Sequence, residues 1–390
     1  MRRTTQQRMT EQLIARLRAH PPAGTAAARP DVAARPALRV PAEHYLTAAR
    51  CDIERAAVFG GMRAGVWHGP PRMIAASSAL AAGACLPIDV TGVSLILTRG
   101  GDGVVRGVGN ACRHRAVRLI DAPCAAKALV CPYHGWTYDL TGALIHVPHA
   151  ESFAPADMRD LPVLPIAERH GLIWLGADAA GIADHLGDLD ADLAALDMDR
   201  HAVWRACRVT RRCNWKLIVE GFLEGYHIRI LHRDTLYRFF LDAESVVEAV
   251  GSHGRAISGR RALLDAPDSL PPDANLRALS TPTITVFPGT FVFPHPDFVS
   301  VILLHPLSAD RTDYEHIMLV PADRLGDAEH WDKSWALIEE TLFQGEDLRI
   351  CEQIQRGLSA GTTDALVFGE LETGVRLFHD ALEAQLASQR

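Results

Sequence analysis

The interpretation of this chain is decided by two short stretches, Cys112-Arg113-His114 and Cys131-Pro132-Tyr133-His134-Gly135-Trp136. Each stretch holds one cysteine and one histidine, and sixteen residues (115–130) lie between them. Thiolate sulfur is a ligand for iron–sulfur clusters and zinc, and imidazole is a ligand for zinc and iron, so the pattern predicts a metal site. Structural zinc is one alternative, but a Cys2His2 zinc site usually keeps its two cysteines in one pair and its two histidines in the other.

Pairs that each mix one cysteine with one histidine are the arrangement of a Rieske [2Fe–2S] centre, in which one iron takes two cysteines and the other takes two histidines. The segment CPYHGW at 131–136 also resembles the Rieske family. We therefore predict that the ligands of a [2Fe–2S] cluster are Cys112, His114, Cys131 and His134. Such a cluster transfers single electrons and performs no substrate chemistry, so the rest of the chain is expected to hold a second site.

The composition is that of a globular protein large enough for two or more domains, with 390 residues, 48% hydrophobic and 22% charged. The net charge of −7 and the lack of a basic run argue against a nucleic-acid partner. No apolar run is long and unbroken enough to predict a membrane span, and the arginine-rich N-terminus lacks the apolar core of a secretory signal. Apart from the two ligand cysteines, the eight cysteines show no paired spacing, which predicts a reducing, cytoplasmic location.

Hydrophobic patterning predicts an N-terminal helix and arm (1–41), a small β domain (42–165) and a larger C-terminal domain (166–390). Within the first segment, residues 9–19 predict an amphipathic helix. Residues 20–41 are rich in Ala, Pro and Arg and predict an irregular arm rather than a core element.

Alternating apolar residues predict a hairpin of two strands, 93–98 and 104–108, that leads directly into Cys112. In the C-terminal domain, several β runs between 281 and 320 predict an antiparallel sheet. No Gly-x-Gly-x-x-Gly loop opens a helix, so no flavin or nicotinamide site is predicted. Helical periodicity is found in three further segments, 215–231, 328–358 and 368–388.

A second metal site is predicted around His227 and His232, which follow the segment Asn214-Trp215-Lys216. The two histidines are five residues apart, and an ideal helix would turn them about 140° from each other. Two histidines on one metal therefore require the helix to end or distort between them. With 18 histidines in the chain, such a pair can also arise by chance, and the alternative is two hydrogen-bonded histidines without a metal.

The third ligand is expected to be a carboxylate, because two histidines and one carboxylate leave positions open on iron for oxygen. Asp347 is the candidate, because it is the charged member of an otherwise apolar helical stripe. Glu346 lies about 100° round the helix and is expected on a wetter face. The alternative for Asp347 is a salt bridge to a buried arginine. The stripe consists of Phe343, Asp347, Cys351, Ile354 and Leu358.

These residues together resemble the oxygenase α subunits of Rieske-type non-haem iron oxygenases. The segment NWK-x3-EGFLEGYH-x4-H (214–232) resembles their histidine-ligand segment, and Glu346-Asp347 followed by CEQIQRGL resembles the carboxylate-ligand helix of members that include glycine-betaine and carnitine oxygenases. The resemblance implies an α+β fold, with an N-terminal all-β Rieske domain and a C-terminal catalytic domain of antiparallel sheet and helices (helix-grip, START-like). It also implies that a mononuclear Fe(II) is held by His227, His232 and Asp347.

The resemblance further implies that Glu224 links the cluster of a neighbouring subunit to this iron. Many members carry Asp at that position, and many carry Asn where this chain has Gly221. Glu220 is a rival for the bridging role, because it precedes His227 by seven residues and lies on nearly the same helical face. Electron transfer in the family crosses a subunit boundary in a head-to-tail trimer, so a homotrimer or a multiple of trimers is expected.

The expected activity is O2-dependent hydroxylation, by mono- or dioxygenation, of a small organic and possibly aromatic substrate. The electrons would come from NAD(P)H through a separate reductase or ferredoxin. The alternative substrate is a quaternary amine that is hydroxylated or dealkylated, which would need an aromatic cage. The aromatic content of 6% favours a neutral substrate. A Rieske electron carrier and a zinc-bound structural protein are the alternatives from other classes. The cage candidates are Tyr237, Phe239, Phe240, Phe287, Phe291, Phe293 and Phe298.

Overall fold

The computed structural model describes residues 4–19, 36–271 and 273–389. Contacts divide the chain into two compact units. The larger unit comprises residues 1–54, 186–196 and 203–390, and the smaller unit comprises residues 55–185 and 197–202.

The helices are concentrated in the larger unit, and the longest helical region is continuous from Ala328 to Ser359. This region contains a π-helical segment, Ala336–Asp347, between two α-helices. A shorter π-helical segment covers Arg55–Phe59. The α-helices are α1 (Thr5–Ala19), α2 (Glu43–Leu46), α3 (Ala48–Glu54), α4 (Ala179–Leu186), α5 (Leu189–Ala194), α6 (Trp215–Phe222), α7 (Ile228–Leu231), α8 (Leu276–Leu279), α9 (Ala328–Trp335), α10 (Leu348–Ser359) and α11 (Thr373–Ala387).

The strands form antiparallel pairs throughout the described residues. They are β1 (Leu38–Pro41), β2 (Gly61–Arg63), β3 (Val66–His68), β4 (Arg72–Ala76), β5 (Ala84–Val90), β6 (Val93–Arg99), β7 (Val105–Gly109), β8 (Cys124–Ala125), β9 (Leu129–Val130), β10 (Thr137–Tyr138), β11 (Leu144–His146), β12 (Val163–Leu164), β13 (Ile166–Arg169), β14 (Leu172–Leu175), β15 (His201–Arg211), β16 (Phe240–Val250), β17 (His253–Arg260), β18 (Ser280–Val286), β19 (Thr290–Pro294), β20 (Val299–Ser308), β21 (Arg311–Pro321) and β22 (Ala365–Phe368).

The smaller unit is built around a five-stranded sheet with strand order β12-β7-β6-β5-β8, and the predicted hairpin is confirmed as β6 and β7. Side chains on β6 alternate between two apolar cores, as the period of a strand requires. Leu95 and Leu97 pack in a core with Ile173 of β14, whereas Ile96 faces the core that contains Cys112 and Cys131. The sheet therefore separates a purely structural core from the one that surrounds the predicted cluster ligands.

The larger unit contains a seven-stranded antiparallel sheet with strand order β15-β21-β20-β19-β18-β17-β16, so the predicted meander between 281 and 320 is confirmed as β18 to β21. The predicted N-terminal helix is also present, as α1, and its apolar stripe packs on β16 and β17. Leu13 and Ile14 are buried there with Val246 and Ile257.

The prediction of an irregular arm over residues 20–41 is wrong at its end. Residues 20–35 lie outside the described part of the chain, but Leu38–Pro41 forms β1 and pairs with β22 near the C-terminus. Local sequence gave no sign of this strand, because its partner lies more than three hundred residues away and Pro is usually confined to strand edges.

The predicted helix over 215–231 is interrupted. The side chain of Asn214 caps the start of α6 by accepting a hydrogen bond from the Lys216 N–H at 3.0 Å. Lys216 is itself buried and donates from Nζ to Glu54 at 2.6 Å, which ties α6 to α3. α6 ends at Phe222, and a Cβ at Gly374 would lie 2.3 Å from the Leu223 carbonyl oxygen, so glycine allows α11 to approach this end closely.

The predicted apolar stripe is confirmed at Phe343, Cys351 and Leu358 but wrong at Ile354, which is exposed. In its place Gln355 is buried, because the carbonyl of its side chain accepts a hydrogen bond from the Asn214 N–H at 2.9 Å. Ile354 and Gln355 both lie in the regular helix α10, three and four residues after Cys351, and α-helical spacing alone does not decide which of the two is buried.

Candidate metal centres

The two predicted cluster-ligand stretches fold into matching turns. The Cys112 carbonyl accepts a hydrogen bond from the Ala116 N–H at 2.9 Å, and the Cys131 carbonyl accepts one from the Gly135 N–H at 3.1 Å. Ala116 and Gly135 both have positive φ, at 57° and 73°. The two turns thus have the same backbone conformation, and each carries a cysteine followed two or three residues later by a histidine. Glycine adopts this left-handed conformation freely, whereas Ala116 adopts it at a cost.

The side chains of these turns fit a Rieske cluster. Cys112 and Cys131 are buried free thiols, and the imidazole rings of His114 and His134 lie 4.7 Å apart between centroids. The Nδ1 atom of His114 is buried without a hydrogen-bond partner, which a bond to iron would satisfy. Burial, followed by His134 and Arg115, lowers the pKa of His114 and so favours the neutral imidazole that a metal requires.

Tyr138 supports one of these cysteines, although its sequence position gave no signal of such a role. Its hydroxyl oxygen lies 3.4 Å from Cys112 Sγ and accepts a hydrogen bond from the Arg113 N–H at 3.0 Å. Because that N–H is the donor, the hydroxyl proton is free to point at the sulfur. Hydrogen bonds to cluster sulfur tune the potential of iron–sulfur centres.

The histidine side of this site reaches the surface of the smaller unit. Tyr133 is 53% exposed, and its ring lies tilted beside the ring of His134, with 3.7 Å between the centroids. Arg115 lies over the Tyr133 ring at 5.4 Å and donates to its hydroxyl at 3.2 Å. An electron-transfer partner can therefore approach the His134 edge without crossing the protein interior.

The structure brings His227, His232 and Asp347 together in the larger unit. One ligand atom from each residue lies within 4.8 Å of the others, a spacing that one metal ion can bridge. The required break in the helix exists, because α6 ends before His227 and the single turn of α7 separates the two histidines. Asp347 is the last residue of the π-helical segment. Its Oδ1 lies 3.1 Å from His232 Nε2 and 3.6 Å from His227 Nε2.

Both histidines present Nε2 to the site and hold a glutamate on Nδ1. Glu224 contacts His227 Nδ1, and it also accepts a hydrogen bond from the His227 N–H at 3.1 Å. Glu346 Oε2 lies 2.6 Å from His232 Nδ1 and accepts a hydrogen bond from the Thr235 hydroxyl at 3.0 Å. Carboxylates in this position fix the tautomer and orientation of a metal-binding histidine.

The role of Glu346 was missed by the sequence analysis, which placed it on a wetter face. Its side chain is 18% exposed against 11% for Asp347, so the two adjacent carboxylates are almost equally enclosed. Glu346 is the slightly more exposed acid, as expected, but the helical wheel gave no sign of its contact with His232, because that contact joins two distant segments. The signal that could have found Glu346 is the pair of adjacent acids itself, next to two histidines that each need an Nδ1 partner.

The electrostatics of this site favour a cation. Burial alone would lower the pKa of His232, but hydrogen bonds and charge from Asp347 and then Glu346 outweigh burial and raise it. A set of two imidazole nitrogens and one carboxylate oxygen is the facial triad of non-haem iron enzymes, and it leaves coordination positions open for oxygen. The residues present therefore fit a mononuclear iron.

Glu220, the rival bridging acid, is used in the interior of the larger unit. Its Oε1 accepts a hydrogen bond from the Tyr45 hydroxyl at 2.6 Å and lies 2.9 Å from His379 Nε2. Glu220 is buried, and these contacts link α6 to α2 and α11. This arrangement favours Glu224 over Glu220 for a role beside His227.

Four phenylalanine rings form a cluster next to the elements that carry the three candidate iron ligands. Phe222 lies 5.2–5.5 Å from the ring centroids of the other three, and Phe343 precedes Asp347 by about one turn. Phe222 and Phe293 are partly exposed, whereas Phe291 and Phe343 are buried. Phe291 and Phe293 of β19 were predicted as cage candidates, whereas Phe222 and Phe343, on the helical segments near the ligands, were not. We call Phe222, Phe291, Phe293 and Phe343 the phenylalanine quartet.

A buried carboxylate holds the π-helical segment against the sheet. Glu339 accepts hydrogen bonds from the Tyr314 hydroxyl at 2.9 Å, Cys207 Sγ at 3.0 Å and Gln344 Nε2 at 2.7 Å, and it lies 2.9 Å from His316 Nδ1. Burial would raise the pKa of Glu339, but hydrogen bonds from His316, Cys207 and Gln344 outweigh burial and lower it. The contacts come from β15, β21 and the π-helical segment itself.

Two family models match the chain. Residues 71–165 match the Rieske [2Fe-2S] domain, and residues 196–388 match the ring hydroxylating alpha subunit (catalytic domain). A Rieske domain followed by a catalytic domain with a histidine and carboxylate site defines an iron-dependent oxygenase.

The chain belongs to the Rieske-type non-haem iron oxygenases, as an oxygenase α subunit. It is an oxidoreductase that uses a Rieske [2Fe–2S] cluster and a mononuclear iron. The family uses a reductase partner and small-molecule substrates. The predicted fold and oxygenase class are thereby confirmed, and the catalytic-domain match gives residues 196–388 a function that a simple electron carrier or a zinc-bound structural protein would lack.

Curated relatives cover most of the chain at moderate identity. The carnitine monooxygenase oxygenase subunit of Escherichia coli K12 is 27% identical over 317 residues, which cover 75% of this chain and 81% of the relative. The glycine betaine monooxygenase oxygenase subunit of Pseudomonas aeruginosa PAO1 is 27% identical over 309 residues, covering 68% and 71%.

Solved structures share the fold. A quaternary ammonium Rieske monooxygenase in complex with L-carnitine has a TM-score of 0.72 at 21% identity, covering 89% of this chain and 95% of that chain. Naphthalene 1,2-dioxygenase from Rhodococcus sp. bound to indole also has a TM-score of 0.72, at 20% identity, with 98% and 99% covered. Within the described ranges, none of the helices combines the length and apolar character needed to cross a membrane.

Proposed function

We propose that Cys112, His114, Cys131 and His134 are the cluster ligands and that the Rieske domain extends over residues 42–165. The support is the matching pair of turns, the buried thiols and the unpartnered His114 Nδ1. We further propose that His227, His232 and Asp347 bind the mononuclear iron in a catalytic domain that extends over residues 166–390. The convergence of their ligand atoms within 4.8 Å carries this assignment.

The bound cluster supplies single electrons, and the bound iron supplies the activation of dioxygen. The protein orients the ligand side chains and encloses the substrate. Glu224 and Glu346 hold the two imidazole rings with Nε2 directed at Asp347. The phenylalanine quartet provides an apolar surface that excludes water and positions the substrate beside these ligands. Electrons come from NAD(P)H through a separate reductase or ferredoxin.

Glu224 is proposed as the acid through which the cluster of a neighbouring subunit is coupled to this iron, in a homotrimer or a multiple of trimers. Its support is direct contact with His227 Nδ1. Inter-subunit electron transfer is described for a solved quaternary ammonium Rieske monooxygenase with a TM-score of 0.72 and 19% identity. The departure from the more common Asp lengthens the side chain by one methylene.

The test of the bridge is Glu224→Gln. Reduction of the cluster by dithionite should survive, while single-turnover product formation should collapse. Glu220→Gln is the matched control, since it removes a carboxylate from the same helical region that bonds Tyr45 and His379 instead. Normal turnover in Glu224→Gln would refute the bridging role.

For the substrate, we propose a small quaternary amine that undergoes monooxygenation, which was the alternative in the sequence analysis. The observation that carries it is the phenylalanine quartet, because aromatic faces attract quaternary ammonium groups through cation–π interactions. The curated relatives that act on carnitine and glycine betaine point the same way.

A matched pair of compounds tests the charge requirement. Purified oxygenase with a surrogate reductase should take up O2 in the presence of choline, carnitine or glycine betaine, but not with 3,3-dimethylbutanol, the neutral isostere of choline. Phe293→Leu should weaken the response to the cation, because it keeps apolar bulk and removes the aromatic face. Equal uptake with choline and its isostere, or uptake only with arenes such as naphthalene, would refute the proposal and favour a neutral substrate.

A further inference from the structure

Two cysteines outside the ligand set face each other across a strand pair of the smaller unit. β5 and β8 are antiparallel, and their register places Cys85 directly opposite Cys124. Directly opposite residues of an antiparallel pair present their side chains on the same face, so the two thiols are neighbours. Cys85 is fully buried, whereas Cys124 is exposed to solvent.

The backbone geometry of this pair suits a disulfide. The Ala126 N–H donates to the Gly83 carbonyl at 3.3 Å, which makes Cys85 and Cys124 the hydrogen-bonded type of cross-strand pair. Such pairs have Cα atoms about 5.5 Å apart, within the range of about 4.4–6.8 Å found for disulfides. Their Cβ atoms are about 4.5–5.5 Å apart, so the strands must close by about 1 Å to reach disulfide spacing.

We propose that Cys85 and Cys124 form a reversible disulfide that responds to peroxide and clamps the segment between the two cluster-ligand turns. The thiolate of exposed Cys124 attacks a peroxide oxygen, which yields a sulfenic acid on Cys124 and releases the other oxygen as hydroxide or alkoxide. The Cys85 sulfur then attacks the Cys124 sulfur, forming the disulfide and releasing water. Two thiols lose two electrons in total, and the peroxide gains them.

The order of these steps follows from burial. Burial, followed by the proximity of Cys124, raises the pKa of Cys85 to about 11, so Cys85 is a poor first nucleophile. Once Cys124 is oxidised, however, Cys85 lies directly opposite it across the strand pair, so the second step is intramolecular. A cytoplasmic thiol pool would reverse the bond, as is usual for regulatory disulfides in reducing compartments.

The proposed disulfide lies where it can affect the stability of the cluster site. β8 lies within residues 115–130, which join the two ligand turns, and Cys85 belongs to the same apolar core as Cys112 and Cys131. A covalent link between β8 and β5 would restrict the opening of this segment. If the cluster is lost when this segment opens, the oxidised protein should retain its cluster longer.

The test uses cluster-loaded protein treated with equimolar hydrogen peroxide, blocked with N-ethylmaleimide and mapped by mass spectrometry. We expect a Cys85–Cys124 linked peptide that dithiothreitol removes and that Cys124→Ser abolishes. The matched control is the pair Cys213 and Cys351, which are both buried, with Cys351 Sγ donating to the Leu217 carbonyl. These two should stay free.

The second measurement is the rate at which the visible absorbance of the cluster bleaches on heating. The cluster of wild-type protein with the Cys85–Cys124 disulfide should bleach several-fold more slowly than that of wild-type protein with both thiols free. Peroxide treatment of Cys124→Ser should produce no such difference. Over-oxidation of Cys124 to sulfinic acid without a linked peptide, or a link between Cys124 residues of two chains, would overturn the disulfide. A Cys85–Cys124 link without slower bleaching would overturn the clamp.

Discussion

Replacement of Glu346 tests whether the acid next to the candidate iron ligand Asp347 positions His232. Glu346 Oε2 lies 2.6 Å from His232 Nδ1, and the His232 side chain is only 3% exposed. The tautomer with a proton on Nδ1 leaves the Nε2 lone pair available for the iron. Glu346→Gln keeps an acceptor but removes the charge, and Glu346→Ala removes both, so the two variants separate tautomer control from electrostatic support.

The expected loss of iron affinity follows from how well the Glu346–His232 contact is shielded from solvent. Loss of an outer partner of a metal-binding histidine typically weakens metal affinity 10- to 100-fold, which corresponds to about 1.4–2.7 kcal/mol. The contact between Glu346 and His232 is short, and His232 is hardly exposed, so solvent screens it little. Glu346→Ala should therefore weaken iron affinity by an amount near the upper end of this range. Glu346→Gln should lie near the lower end, because its carbonyl can still accept the Nδ1 proton.

The assay is Fe(II) binding in competition with a chromophoric chelator, with the cluster absorbance monitored in the same sample. The matched control is Glu340→Gln, on an exposed position of the same π-helical segment, which should bind iron like the wild type. Wild-type iron affinity in both Glu346 variants would refute the positioning role. Loss of cluster absorbance alongside iron would show general damage to the protein instead.

Three further predictions concern the larger unit. Asp347→Ala should lose mononuclear iron and keep the Rieske absorbance, and retention of both centres in metal analysis would contradict the ligand assignment. Glu339→Gln should destabilise the protein by about 1–3 kcal/mol in urea unfolding, because an amide N–H2 would face several hydrogen-bond donors. Burial lowers the pKa of His295 to about 3, whereas an unfolded histidine titrates near 6.5. Between those values the unfolded chain binds a proton that the folded chain does not. The contribution of His295 to the free energy of unfolding is therefore complete above about pH 6.5. It declines by about 1.4 kcal/mol per pH unit as the pH falls towards 3. His295→Gln, which can still donate to Ser300, should flatten this part of the pH profile of the unfolding free energy, and an unchanged slope would contradict the assignment.

The cluster site was predictable because its information is local. Cys112 and His114 lie within one turn, as do Cys131 and His134, and the mixed pairing together with the CPYHGW segment favoured a Rieske domain over zinc. The same holds for the need to break the helix between the two histidines. A separation of five residues is incompatible with one helical face, and α7 supplies the break.

The parts that sequence reasoning missed depend on distant or irregular structure. The partner of β1 lies at 365–368, and no local pattern can reveal such a pairing. The Nδ1 partner of His232 is Glu346, which is 114 residues away and lies on a segment with π-helical turns. A helical wheel cannot reveal this contact, and within the regular helix α10 it placed Ile354 in the buried stripe where Gln355 lies.

The two histidines are supported in different ways, and the difference separates electron transfer from iron retention. The contact between Glu224 and His227 is local, because Glu224 also accepts the His227 N–H within the same turn. The contact between Glu346 and His232 instead depends on the π-helical segment, which also carries Asp347 and is held to the sheet by Glu339. Loosening that segment should release iron while the Glu224–His227 pair stays formed. Glu224→Gln keeps an acceptor for the His227 Nδ1 proton, so it should weaken iron binding only about tenfold, and in protein loaded with excess iron it should still interrupt electron transfer.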